Sequence, residues 1–97
     1  MFRQVKWSAR SVYEWSDMLD YWTNRNKSNA YSLKLDRLLK ESLDKIARAS
    51  ETGKPTDFPS VRTKIVRDYL VYYRIHPEYI DILGIWDSRR DPKKFRL

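Results

Sequence analysis

Apolar residues recur at Val12, Trp15, Leu19 and Trp22, at spacings of three, four and three with Met18 beside them, which is the period of one buried helical stripe. Ser8 stands just upstream, where a hydroxyl can cap the first free backbone N–H groups of a helix. The polar run Thr23–Ser28 interrupts the stripe, and a second one follows through Tyr31, Leu35, Leu38, Leu39, Leu43 and Ile46. So short a connection predicts two antiparallel helices. Ahead of them, Phe2–Trp7 alternates without a clean polar face and reads as a short strand. Behind them, SETGKPTDFPS carries Gly53, Pro55 and Pro59, which end the second helix and predict a coil of about ten residues.

From Val61 the pattern changes to that of strands. Val61–Val66 reads as a short one, and Asp68–Ile75 (DYLVYYRI) is dominated by β-branched and aromatic residues. His76-Pro77-Glu78 reads as a turn and Tyr79–Trp86 as the returning strand, and strands joined so closely must be antiparallel. The tail Asp87–Leu97 is polar and basic, with length for no more than one helical turn. The order β-α-α-β-β-β predicts a two-layer α+β fold in a single domain, residues 1–97. An N-terminal strand and a helix hairpin should pack on a small antiparallel sheet, with the helices covering one face. Too little chain is left to cover the other face, which becomes the place to look for function.

Composition narrows the chemistry. Leu, Ile, Val and Phe make 23 of 97 residues, enough with four Trp and seven Tyr for a folded core despite 34% charged residues. The absence of cysteine removes disulfides, thiolate zinc sites and cysteine nucleophiles, and a lone His76 cannot build a histidine metal cluster, so no metal is expected. Two glycines cannot supply a glycine-rich phosphate loop, so no nucleotide cofactor is expected either. Apolar runs are short and broken by charge, which predicts a cytoplasmic protein with no membrane contact. Twenty Lys and Arg against thirteen Asp and Glu give +7, which points to a polyanionic partner. Split after Asp57 the excess is +3 before and +4 after, so a basic tail does not account for it.

Arg62 and Lys64, two apart on a strand, share a face about 7 Å from one another. Arg67 follows at a turn, Arg74 lies on the next strand, and Arg89 and Arg90 lie beyond the last. In a meander these can converge into a cationic surface, for which guanidinium groups offer paired donors to phosphate. Tyr72 shares its face with Leu70 and Arg74, giving the basic and aromatic mixture of nucleic-acid surfaces. Edge cations also serve simply to keep a sheet from pairing, and tyrosines facing the helices serve as core. Asp87 is the one carboxylate placed beside Arg89 and Arg90, and it suits either an acid–base role or an ion pair. His76, before Pro77, reads as a loop residue.

The cationic strand VRTKIVRDY, the following LVYYRI, a turn, IDILGIW, a terminal SRRDP and an N-terminal VKWS leading into an aromatic-bearing helix together resemble the RelE/ParE superfamily, toxins of type II toxin–antitoxin modules. The resemblance spans essentially the whole chain and implies a basic toxin silenced by an acidic antitoxin. Of its two branches, RelE-like members cleave messenger RNA on the ribosome and ParE-like members inhibit DNA gyrase. Carried over by position, Arg62, Lys64 and Arg89 match the cations that would stabilise the phosphate when a ribose 2′-hydroxyl attacks it without a metal, with Asp87 as the nearest acid–base candidate. Arg67, Tyr72, Arg74 and Arg90 would bind the nucleic acid. Leu70 stands where RelE-like enzymes can carry arginine, Asp87 stands where many relatives have histidine, and VRDYLVYYRI reads more like the ParE-like version. Three readings follow: a ribosome-dependent ribonuclease, a non-nucleolytic gyrase inhibitor, and a nucleic-acid-binding module without toxicity.

Overall fold

The computed structural model describes residues 2–97 and contains seven regular elements: β1 (Gln4–Trp7), α1 (Ala9–Asn26), α2 (Ala30–Arg48), β2 (Lys54–Pro55), β3 (Val61–Val66), β4 (Tyr69–Ile75) and β5 (Tyr79–Asp87). Ser8 caps α1 as its sequence predicts, its Oγ accepting from Ser11 N at 3.0 Å. Lys27 ends that helix in the left-handed conformation, its N–H returning to Thr23 O. The strands form one sheet in the order β1-β5-β4-β3-β2. The sheet is mixed, where a wholly antiparallel one was expected: β1 runs parallel to β5, Gln4 opposite Tyr79 and Trp7 opposite Ile82. The helix hairpin carries the chain away between them, so β1 covers the β5 edge that would otherwise stand open.

β2 replaces part of the coil predicted over residues 50–60. Lys54 and Pro55 pair with Thr63 and Arg62 at the outer edge, where a residue without an N–H is tolerated. In α1 the buried positions are Ser11 and Trp15, while Val12 is 52% exposed, which corrects its place in the predicted stripe. The reason is how close the first turn of α1 lies to β5: Ser8 N donates to Ile82 O at 3.1 Å, and Ile85 N donates to Glu14 Oε1 at 2.9 Å. A small side chain is needed there, and Ser11 supplies it.

The main core lies between the helices and the sheet, with Trp15, Leu35, Leu39, Leu43 and Ile46 against Val66, Tyr69, Val71, Tyr73, Ile80, Ile82 and Ile85. A second apolar cluster of Val61, Tyr72, Trp86 and Phe95 occupies the opposite face. The tail therefore covers part of the face predicted to lie open. No helix among the described residues is long and apolar enough to cross a membrane.

Candidate functional site

One end of the sheet gathers the β3–β4 turn and the exit of β5. Arg67, in the left-handed conformation at φ 55°, and Asp68 make the two-residue turn. Ser88 donates to Asp68 O from both its N–H at 2.8 Å and its hydroxyl at 2.7 Å, which ties the β5 exit to that turn. Asp87, opposite Tyr69 in the register, grips Arg89 with both oxygens, Nε to Oδ1 at 2.9 Å and Nη2 to Oδ2 at 2.7 Å. The Arg89 N–H adds a third bond to Oδ1 at 2.9 Å. These bonds hold the Asp87 carboxyl below its ordinary range and push the Arg89 guanidinium up. Beneath them Trp22 Nε1 donates to the Tyr69 hydroxyl at 2.7 Å, and burial pushes that phenol up, so it stays protonated at neutral pH.

The clamp has a pH signature. A carboxyl depressed in the folded chain contributes stability above its unfolded pKa of about 3.9 and loses it as pH falls through the lower folded value. Asp87→Asn is therefore expected to melt below wild type near neutral pH, with the gap closing below about pH 4. Thermal melts of both proteins between neutral pH and that acid range check this, and a gap that persists in acid would rule it out.

The other cations divide between two faces, whereas the sequence suggested one converging surface. Arg62 lies opposite Tyr73 and Lys64 opposite Val71, so both belong to the helix-covered face at the outer flank of the sheet. Arg62 Nη1 donates to Gly53 O at 2.7 Å and to Glu51 O at 3.3 Å, so its guanidinium binds its own chain. Arg74 lies on the opposite face, across from Val61 on one side and Asp81 on the other. The register separates them because β3 and β4 pair with Arg62 one position out of phase with Arg74. Tyr72 also lies on that opposite face, but it is 5% exposed and lies flat under Phe95 at 3.7 Å between ring centres. That corrects its expected role as an open stacking platform. Arg90 lies over the Trp86 ring at 4.3 Å. His76, in its turn as expected, stacks on Tyr79 and meets Asp81 Oδ2 at 2.9 Å, at the far end of β5 from Asp87.

Sequence reasoning missed Arg10, Gly84 and Phe95, which meet on the tail-covered face. Gly84 inside a strand was the available signal, since such a glycine often marks a close approach by another group.

The architecture is a helix hairpin on a small mixed sheet with the tail folded back on the other face, and the family match places it among the small toxins of the RelE/ParE superfamily. The chain belongs to the family described as "ParE toxin of type II toxin-antitoxin system, parDE", whose model matches residues 5–92. Among solved structures, a chain of the "Chromosomal ParDE TA system from P. aeruginosa" shares its fold at a TM-score of 0.76 and 19% identity, covering 89% of this chain and 96% of that one. No curated protein matches it.

Proposed function

We propose that this type II toxin arrests growth by inhibiting DNA gyrase and does not cut nucleic acid itself. The observation that carries this is the clamp at Asp87. A general base must be free to take a proton, and both oxygens of Asp87 are engaged by Arg89 in a bond that lowers its basicity. Arg62, one of the three cations matched to the scissile phosphate, is turned onto Gly53 O and Glu51 O, which supports the same reading. Membership of the ParE family adds to it.

The silencing partner is an acidic antitoxin. Val12, Trp7, Trp15 and Leu19, with Asp36 and Lys40 at the rim, line a groove of about 440 Å³ across the helix hairpin. Apolar contact there and the net charge of +7 suit an amphipathic acidic segment.

In a purified supercoiling assay the toxin is expected to inhibit gyrase, and antitoxin added beforehand to abolish the effect. Transcripts mapped after induction should remain intact. Cleavage within translated codons, with unaffected supercoiling at saturating toxin, would replace this reading with the ribonuclease one.

A further inference from the structure

The last ten residues hold most of the net charge. Ser88–Leu97 contain five Lys and Arg against one Asp, +4 of the total +7, whereas residues 58–87 carry four of each sign. The even division of charge about Asp57 therefore conceals a basic tail, and the structure shows that tail to be fixed in place. Phe95, 2% exposed, lies flat on Tyr72 and edge-on to Trp86 at 5.7 Å. Arg10 covers the ring at 4.7 Å and donates to Arg96 O. Asp91 caps the short Pro92–Lys94 turn, its side chain accepting from Lys93 N at 3.0 Å.

Gly84 shows how far the fold is committed to this arrangement. No glycine in the chain has positive φ, so backbone conformation does not require it. A Cβ at that position would lie 3.0 and 3.1 Å from the Phe95 ring and 3.2 Å from the Glu14 carboxylate. The gap in β5 is what admits Phe95.

We propose that Ser88–Leu97 is an anchored cationic strap that binds the phosphate backbone of duplex DNA. Arg89 is neutralised by Asp87, but Arg90, Lys93, Lys94 and Arg96 have no carboxylate within 4.0 Å among the described residues. Between Ser88 and Arg96 the only large apolar side chain, Phe95, faces inward. Apart from Pro92 and the terminal Leu97, what faces outward is charge and backbone, which serves sequence-independent phosphate contact, whereas a tight protein interface needs an apolar centre and is poor in lysine. Anchoring Phe95 prepays part of the ordering that a free basic tail would lose on binding. The strap goes beyond inhibition of gyrase and does not depend on it.

The test is fluorescence anisotropy of the full chain with a labelled mixed-sequence duplex and no gyrase present. Four phosphate contacts predict an affinity loss of about 10²-fold between 50 and 200 mM salt. The Lys93→Gln/Lys94→Gln/Arg96→Gln variant removes three exposed charges, and with them the Arg96 Nη1 bonds to Lys93 O at 2.8 Å and Phe95 O at 3.2 Å, and should bind at least roughly tenfold more weakly at low salt, with a shallower salt dependence. Phe95→Ala should weaken binding about fivefold at unchanged charge, and Phe95→Leu, which keeps an apolar anchor, should fall between. Binding insensitive to salt, or a triple variant that binds like wild type, overturns the strap. So does a triple variant that keeps its DNA affinity but loses its antitoxin, which would assign the tail to the protein partner. Gyrase inhibition by a chain with no duplex affinity overturns the strap alone, and duplex affinity without gyrase inhibition overturns only the gyrase reading.

Discussion

Trp15→Ala is expected to remove about 4–5 kcal/mol of folding stability, close to the whole margin of a small domain. The indole is 4% exposed and joins three elements. It stands edge-on to Tyr69 of β4 at 5.7 Å and 90°, and its Nε1 donates to Asp36 Oδ1 on α2 at 2.9 Å. Losing a buried Trp costs about 3–5 kcal/mol in cavity and transfer terms, and the aromatic pair and the hydrogen bond place this case in the upper half of that range. Burial pushes the Asp36 carboxyl up, but hydrogen bonds from Lys40 and Trp15 outweigh it and hold the group below its ordinary value. The variant thus also removes one of the donors that keep Asp36 charged between the helices. The midpoint of thermal unfolding should fall by roughly 20 °C, read by calorimetry. Trp15→Phe, which keeps the ring contact but not the N–H, should fall between. A loss below about 2 kcal/mol for the alanine variant would show that the helices do not need this joint.

Gly53→Ala should cost about 3 kcal/mol, although glycine to alanine at an ordinary φ usually stabilises by about 0.4–1 kcal/mol. Gly53 has φ −76°, so the backbone accepts alanine. The obstacle is space. A Cβ would lie 2.3 Å from the Tyr73 hydroxyl, 2.7 Å from the backbone Thr63 O and 2.9 Å from the Tyr73 ring. Tyr73 is fully buried and cannot swing aside; its hydroxyl accepts from Gly53 N at 3.0 Å and donates to Ser50 O at 2.7 Å. Overpacking at about 1–3 kcal/mol and disruption of those bonds at about 1 kcal/mol each both act against the variant. Urea unfolding measures the loss, and a variant as stable as wild type would mean that β2 can move off the sheet freely.

The two helices, the hairpin strands and the turn at His76 were legible because each is written in local periodicity. Val61–Val66 has the same limits in sequence and structure. β2 was not legible because Lys54 and Pro55 have no pattern of their own and become a strand only by meeting Thr63 and Arg62. Val12 misled because hydrophobic spacing cannot report that β5 lies against the first turn of α1, where only Ser11 fits. In the candidate site, Asp87 beside Arg89 was visible as a neighbouring pair, although its geometry was not. The faces of Arg62 and Arg74 depend on how β3 and β4 align, and the burial of Tyr72 depends on a phenylalanine 23 positions later. Alternation along one strand contains neither fact.

The parallel pairing of β1 with β5 joins residues 75 positions apart, Gln4 with Tyr79. During synthesis at about 5–20 residues per second, the first strand waits roughly 4–15 s for its partner to be made. Throughout that interval β5 is missing from between β1 and β4, so no nascent chain presents the finished sheet. The poison is assembled last. Those seconds separate the start of the toxin's synthesis from the closing of its sheet.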